Sequence, residues 1–283
     1  MITARRLAGG LLRRLGLRRP VSANEENPAF WKGYGKNDLA VRMAQLCAQH
    51  RELAESLGAV EIAGARKAVA HLFLKGDGIE VGAGDRPFPL PEGARCQYGD
   101  IRDRTALNQY FGNDRISLTG HVDAQTYAGV APASLDFVIS AHVIEHLFDP
   151  IGAIRAAVST LKPRGVFLCV VPDMEKTWDR ARPPTTLDHL WADSRDGGES
   201  TRLQAYIEHV RYVHPVLTGE HLPEDEIEKN ARATMATGMD LHVHAWRSVD
   251  FTELLKAIAP SSNFTLEGHV PVINENIFVL RRA

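Results

Sequence analysis

Between residues 78 and 171 the chain alternates short β-like apolar runs with stretches of helical spacing, and this alternation constrains the fold more than any other feature. The strand-like runs are 78–81, 95–99, 116–122, 135–140 and 165–171. Strands separated by crossover connections pair parallel, so the pattern predicts an open α/β sheet with helices on its faces. The best-marked helix follows Asp149, which can cap it, and Pro150 suits its first position. Ile151, Ile154, Val158 and Leu161 supply its buried stripe, and Gly165 follows its end.

Outside this core, Leu39, Met43, Leu46, Leu53 and Leu57 recur at helical spacing over 37–57, and a second apolar stretch, 69–74, leads toward the glycines. After Asp173 the alternation stops, and 174–240 reads as a helical insertion rich in charge, with Trp178, Trp191 and Tyr206 scattered through it. Ser248 then caps a helix whose apolar positions are Phe251, Leu254, Leu255 and Ile258. Two closing runs, 264–270 and 277–280, flank Asn274-Glu275-Asn276, which reads as a hairpin turn, so the last strand is expected to be antiparallel.

Composition excludes several classes. Hydrophobic residues at 44% and charged residues at 24% are globular values, and no apolar run approaches the roughly 18 residues of a membrane span. A net charge of -2 gives no global field to hold nucleic acid, which is not an expected partner. Cys47, Cys96 and Cys169 lack any close-spaced metal pattern and read as packing residues of a reducing compartment. Residues 1–24 carry Arg5, Arg6, Arg13, Arg14, Arg18 and Arg19 and no acid, and read as a disordered basic tail. Leu7, Leu11 and Leu15 can line one side of a short helix, which would allow weak contact with an anionic membrane surface. Arg13 and Arg14 interrupt the apolar stretch that a secretory leader needs. The expectation is a cytoplasmic chain, with 25–283 as one domain and 1–24 as a dispensable, frayed tail, peripheral contact of that tail with the inner membrane face being the alternative.

In Glu80-Val81-Gly82-Ala83-Gly84 a strand runs into two glycines that let backbone approach a ligand. A dinucleotide fingerprint would place a third glycine at position 87, opening a helix for the pyrophosphate, and this chain has Pro87. Only ten residues, 85–94, separate Gly84 from the next strand, and Pro87, Pro89 and Pro91 are among them, so the first crossover is expected to be irregular and not helical. Asp100 closes the second strand, where a carboxylate can accept from both hydroxyls of a ribose or cap the helix that follows. Asp123 closes the third and can accept from an adenine amino group or serve a turn. Ligands in open α/β sheets bind at the carboxyl ends of strands, where all three acids fall.

These segments, with Leu135-Asp136-Phe137-Val138-Ile139-Ser140-Ala141-His142-Val143-Ile144-Glu145-His146 and Leu161-Lys162-Pro163-Arg164-Gly165, resemble class I S-adenosylmethionine-dependent methyltransferases in content and order. The resemblance implies a Rossmann-like, mostly parallel seven-stranded sheet with an antiparallel last strand. It implies S-adenosylmethionine as cofactor, with Glu80, Gly82, Ala83 and Gly84 at its methionine end, Asp100 at the ribose, Asp123 and Ala124 at the adenine, and Ser140 to His142 on the sulfonium side. Pro87-Phe88-Pro89-Leu90-Pro91, Thr185-Thr186-Leu187-Asp188-His189-Leu190 and His242-Val243-His244-Ala245-Trp246 resemble a bacterial subgroup associated with surface-glycan and glycosyltransferase functions.

Methyl transfer to a hydroxyl gains from a general base, since a sugar hydroxyl is a poor nucleophile at neutral pH. His142 is the first candidate, because its strand end must face the cofactor; His244 is second, and Asp173, ending the fifth strand, is a third. His146, His189 and His242 complete the set, but their spacing alone does not make a metal site, and none is assigned. The insertion suits a lid that selects a small-molecule or saccharide acceptor, or an oligomerisation surface for a second copy. Arg180, Arg182 and Arg211 are candidates to meet phosphate on an activated sugar. O-methylation of such an acceptor leads; a nucleotide-sugar oxidoreductase and a non-catalytic binding protein on the same fold are the alternatives.

Overall fold

The computed structural model describes residues 36–283, with side chains given for residue 52 and from residue 55 onward, so the basic tail lies outside the described residues. The chain divides into two compact units, Met1–Gly58 and Ala59–Ala283, and the sheet and every site residue belong to the second.

Helix α1 (Lys36–Phe73) is longer than its apolar spacing suggested and takes in Val69, so that Val69 and Ala70 in its last turns, with Leu74 just beyond, are buried. Seven strands follow: β1 (Asp77–Val81), β2 (Arg95–Asp100), β3 (Gly120–His121), β4 (Leu135–Ala141), β5 (Leu161–Pro172), β6 (Phe264–Val272) and β7 (Glu275–Arg282). Their order is β3-β2-β1-β4-β5-β7-β6. The first five pair parallel, while β7 runs antiparallel to both β5 and β6, so the last strand alone is reversed. This is the mostly parallel, Rossmann-like sheet that the sequence implied. The sheet also reverses its winding between β1 and β4, the place where such folds bind ligands at the strands' carboxyl ends.

Helix α2 (Arg104–Phe111) connects β2 to β3, capped by Asp103, whose side chain accepts from the Ala106 amide. Helix α3 (Pro150–Thr160) begins as expected: Asp149 accepts from the Gly152 amide, and Ile151, Ile154 and Val158 are buried. The insertion contributes α4 (Leu187–Asp196), α5 (Arg202–Glu208), a π turn (His209–Val213), α6 (His214–Thr218) and α7 (Glu224–Ala236). Ala205, Tyr206, Val210, Ile227 and Ala231 give it a small core of its own. Helix α8 (Ser248–Ile258) then packs Phe251, Leu254, Leu255 and Ile258 beside Ile151, Ile154 and Val158 on one face of the sheet.

Three boundaries differ from the sequence reading. The third strand shrinks from 116–122 to Gly120–His121, because the Arg104 guanidinium takes the carbonyls of Ile116 and Leu118 (both 2.9 Å), which a neighbouring strand would otherwise need. The fifth strand begins at Leu161, already paired with Leu135, and bulges before Val166 pairs with Phe137. Glu275 and Asn276 are strand residues and not turn residues: Val272 pairs with Glu275, leaving Ile273 and Asn274 as a two-residue loop. Buried partners for the Glu275 carboxylate, described below, explain that shift.

The connection from β1 to β2 contains no helix, as the prolines foretold. Phe88 occupies the place of one, buried against Val69, Leu74, Phe137 and Ile139 on the sheet's other face. The Arg66 guanidinium carbon stands 5.5 Å from the centre of its ring. Because one aromatic side chain anchors this loop, Phe88→Ala is expected to lower the free energy of unfolding by roughly 3–5 kcal/mol. Urea denaturation, with far-UV circular dichroism to confirm a native fold, measures it.

Candidate active site

Strand register sets the site's ground plan. Val81 pairs with Gly99 and with Ser140, Asp100 pairs with His121, and Ser140 pairs with Cys169. The residues just past these positions, Gly82, Asp123 and His142, therefore join Asp100 along one edge of the sheet. Gly82 and Gly84 hold φ of +70° and +55°, a region that L side chains rarely adopt. A Cβ on Gly82 would come within 2.5 Å of Val143, and one on Gly84 within 2.4 Å of the Phe111 ring. A side chain at either position would be strained and would have to displace Val143 or Phe111.

Glu80 lies beneath this turn, buried, and both of its oxygens accept from the Phe88 amide (3.1 and 2.9 Å). Burial pushes its carboxyl up to about 7, opposed by the Phe88 hydrogen bond and by Arg66. Glu80 thus braces the glycine loop from below. Asp100 accepts the Arg102 amide on Oδ1 (2.8 Å), and its Oδ2 has no partner among the described residues. Asp123 accepts the Gln125 amide (2.8 Å) and the Thr126 hydroxyl (3.2 Å), so it shapes the turn that carries Ala124. Ser140 is fully buried, and its hydroxyl has no partner among the described residues.

His142, at φ +56°, places both ring nitrogens against carboxylates: Nε2 donates to Glu275 (2.9 Å), and Nδ1 lies 3.5 Å from Glu145. Burial opposes charge on the ring, but Glu145 and Glu275 outweigh it and raise its pKa to about 9. At neutral pH this imidazole already holds the proton that a base would need to accept. Glu275 in turn takes a two-point contact from Arg66 on α1 (2.9 and 2.6 Å). Burial works against ionisation of Glu145, yet His142 and His146 hold its carboxyl below the usual range. His146 Nδ1 lies 2.9 Å from Asp240, which also takes Arg102 (2.8 Å).

The two histidines of the His-Val-His segment part company. His242 Nδ1 donates to Asp179 (2.6 Å), and its ring lies 4.9 Å from that of His146 and 5.3 Å from that of Trp178, which is 46% exposed. His244 is fully enclosed, stacked on Trp246 and near His189 and Asp193; burial drives its pKa well below the ordinary value. Asp173 caps the turn Met174–Lys176 by accepting the Glu175 amide (3.1 Å). Arg182 is buried and spends its guanidinium on Asp179, Glu208 and the carbonyls of His242 and Val243, while Arg211 pairs with Glu224. Arg182 is therefore not free to meet a phosphate, whereas Arg211 is held only by a surface ion pair.

The glycine turn, Asp100, Asp123 and His142, named from the sequence, lie along one edge, beside Arg66, Asp179, Asp240 and Glu275, which the sequence did not point to. Their spacing carries no local signal; each is defined by a partner far along the chain. Among the described residues, two trios of donor atoms lie within 4.8 Å of one another: Glu145, His146 and His242, and His189, Asp193 and His244. In the first, each imidazole already faces a carboxylate through Nδ1.

Residues 60–216 match the family described as a methyltransferase domain. No curated protein matches the sequence. Among solved structures, the chain resembles an S-adenosylmethionine-dependent methyltransferase of Thermotoga maritima, described as a possible histamine N-methyltransferase. Identity is 14%, covering 83% of this chain and 96% of that one, with a TM-score of 0.46. A putative S-adenosylmethionine-dependent methyltransferase of Listeria monocytogenes is 10% identical over 79% of this chain and 99% of that one, TM-score 0.44. One from Aquifex aeolicus is 10% identical over 77% and 88%, TM-score 0.41.

Replacing Glu80 isolates its burial. Its folded pKa, near 7, stands above the ordinary 4.5, so its contribution to stability is full below about pH 4.5 and is lost as pH rises through about 7. Glu80→Gln keeps an acceptor for Phe88 without that loss. Urea denaturation at pH 4.5 and pH 8 should show the variant gaining on the native protein by roughly 3 kcal/mol across that interval.

Proposed function

Because the chain belongs to the methyltransferase-domain family, and its cofactor is S-adenosylmethionine, we propose that it transfers the methyl group to a hydroxyl of a small or saccharide acceptor, with His242 as the general base. The cofactor supplies, when bound, a methyl group already activated on a sulfonium, which leaves the protein to align and desolvate the acceptor.

The residues present suit that cofactor. Gly82, Ala83 and Gly84 offer a glycine turn, packed against Val143 and Phe111 and braced by Glu80, for its methionine end. The free oxygen of Asp100 suits ribose hydroxyls, and Asp123 with Ala124 suits the adenine. Ser140 brings a buried, unpartnered hydroxyl to the same edge. His142 borders the sulfonium side as a positioning residue, since its proton is held between Glu145 and Glu275.

The observation that carries the choice of base is the Asp179–His242 contact beside exposed Trp178. A carboxylate on Nδ1 fixes the tautomer that leaves Nε2 free to take a proton, the arrangement by which paired side chains activate hydroxyl nucleophiles. The Trp178 face offers an apolar platform for one side of a sugar ring. Both Trp178 and Asp179 come from the 174–240 insertion, which thereby acts as the acceptor-selecting lid. His244 and Asp173 are the weaker candidates, one being enclosed and the other engaged as a cap.

Transfer of labelled methyl from S-adenosylmethionine to a panel of saccharides, amines and thiols tests the reading. Label on a hydroxyl is expected, and label confined to amines or thiols would contradict it. His242→Ala should lower kcat by roughly 10²–10⁴-fold while cofactor Kd stays within about twofold. Asp100→Ala should instead weaken cofactor binding by about tenfold or more. Calorimetric titration separates the two.

A further inference from the structure

The second trio of donor atoms lies apart from the proposed chemistry. His189 and Asp193 stand one turn apart on α4, while His244 comes from the extended segment leading into α8. Asp193 Oδ2 is 3.3 Å from His189 Nε2 and 3.6 Å from His244 Nε2. All three atoms are buried, and none has a hydrogen-bond partner among the described residues. Asp193 and His244 are fully enclosed.

An unpartnered polar atom in a protein interior is costly, and three of them aimed at one point need a reason. Hydrogen bonds among them do not supply it, because N–H···O contacts fall at about 2.7–3.2 Å and these are longer. The spacing matches another arrangement: two ligands each about 2.0–2.1 Å from one tetrahedral cation stand about 3.3–3.4 Å apart. The surroundings fit as well. Thr201 donates its hydroxyl to the other Asp193 oxygen, fixing the carboxylate. The backbone of Leu147 and Phe148 lies beside the His244 ring, and Trp246 stacks on it at 5.4 Å. Asp149 and Asp196 add negative charge near Asp193. His189 is 19% exposed, so the trio opens toward solvent on that side alone.

We propose that His189, Asp193 and His244 bind a divalent transition metal through two imidazole nitrogens and one carboxylate oxygen, with water completing the shell on the His189 side. Two imidazoles with one carboxylate suit zinc, and equally admit cobalt as a spectroscopic substitute. Bound there, the ion ties α4 of the insertion to the segment that carries both His242 and His244. It anchors the lid and takes no part in methyl transfer.

The test uses the full chain. Protein dialysed against chelator and then loaded with Zn²⁺ should retain one ion per chain by elemental analysis, and Co²⁺ should give the visible d–d bands of a tetrahedral site. His189→Gln, at a partly exposed position, should weaken Co²⁺ binding by about 100-fold or more while far-UV circular dichroism stays native. His244→Gln should do the same if it folds, and the His189 variant decides the matter if it does not. His146→Gln, in the other trio, should leave the d–d bands unchanged. Zn²⁺ should raise the Tm of the native chain and not that of His189→Gln. Absence of d–d bands, equal bands in His189→Gln, or loss of them in His146→Gln alone would overturn the proposal.

Discussion

A buried row of alternating charges, Arg66, Glu275, His142 and Glu145, fixes the edge of the sheet on which the rest of the site depends. Its members come from α1, from the start of β7, from the end of β4 and from the turn Ile144–His146. Neither carboxylate is open to water, and each would tend to neutralise without its cationic partners. Removing one member of such a buried set leaves an uncompensated charge, a loss of about 3–5 kcal/mol in comparable cases. The row therefore specifies geometry strongly. It holds His142 at a positive φ that a non-glycine residue otherwise avoids. It also makes Glu275 the first residue of β7, which sets the register of the closing hairpin.

From that edge the network continues outward. Glu145 faces His146, His146 faces Asp240, and Asp240 holds Arg102, whose amide is bound by Asp100. A second network, Asp179 with His242 and Arg182 with Glu208, ties the start of the insertion to its end. The two networks meet where the His146 and His242 rings lie 4.9 Å apart, so side-chain contacts and not backbone alone join them. Beneath the first network, Glu80 and Phe88 hold the glycine loop without the usual crossover helix. A buried aromatic and one carboxylate, whose two oxygens share the Phe88 amide, stand in place of that helix.

Much of the fold was legible because it rests on local rules. Alternating apolar runs gave the strands, Asp149 and Pro150 gave the start of α3, and three prolines gave the helix-free first crossover. Legibility ended where distant partners decide. Arg104 shortened β3 by capturing its carbonyls from α2, and Arg66 drew Glu275 out of an apparent turn. In the site, strand-end positions were readable because a parallel sheet gathers them on one edge. Which histidine does what was not readable. His242 and His244 are two residues apart yet enter separate clusters, one beside Asp179 and one beside Asp193. Arg182, a candidate phosphate contact from sequence, is instead buried and donates to the carbonyls of His242 and Val243.

The glycine edge suits a sulfur nucleoside and not a dinucleotide: Pro87 takes the place of the third fingerprint glycine, and among the described residues the connection from β1 to β2 opens no helix N-terminus for a pyrophosphate. Thermal unfolding in the presence of S-adenosylmethionine, of its demethylated product and of oxidised and reduced nicotinamide dinucleotides tests it most directly. Both sulfur nucleosides should raise Tm and the dinucleotides should leave it unchanged. Stabilisation by a dinucleotide, with none from either sulfur nucleoside, would contradict it.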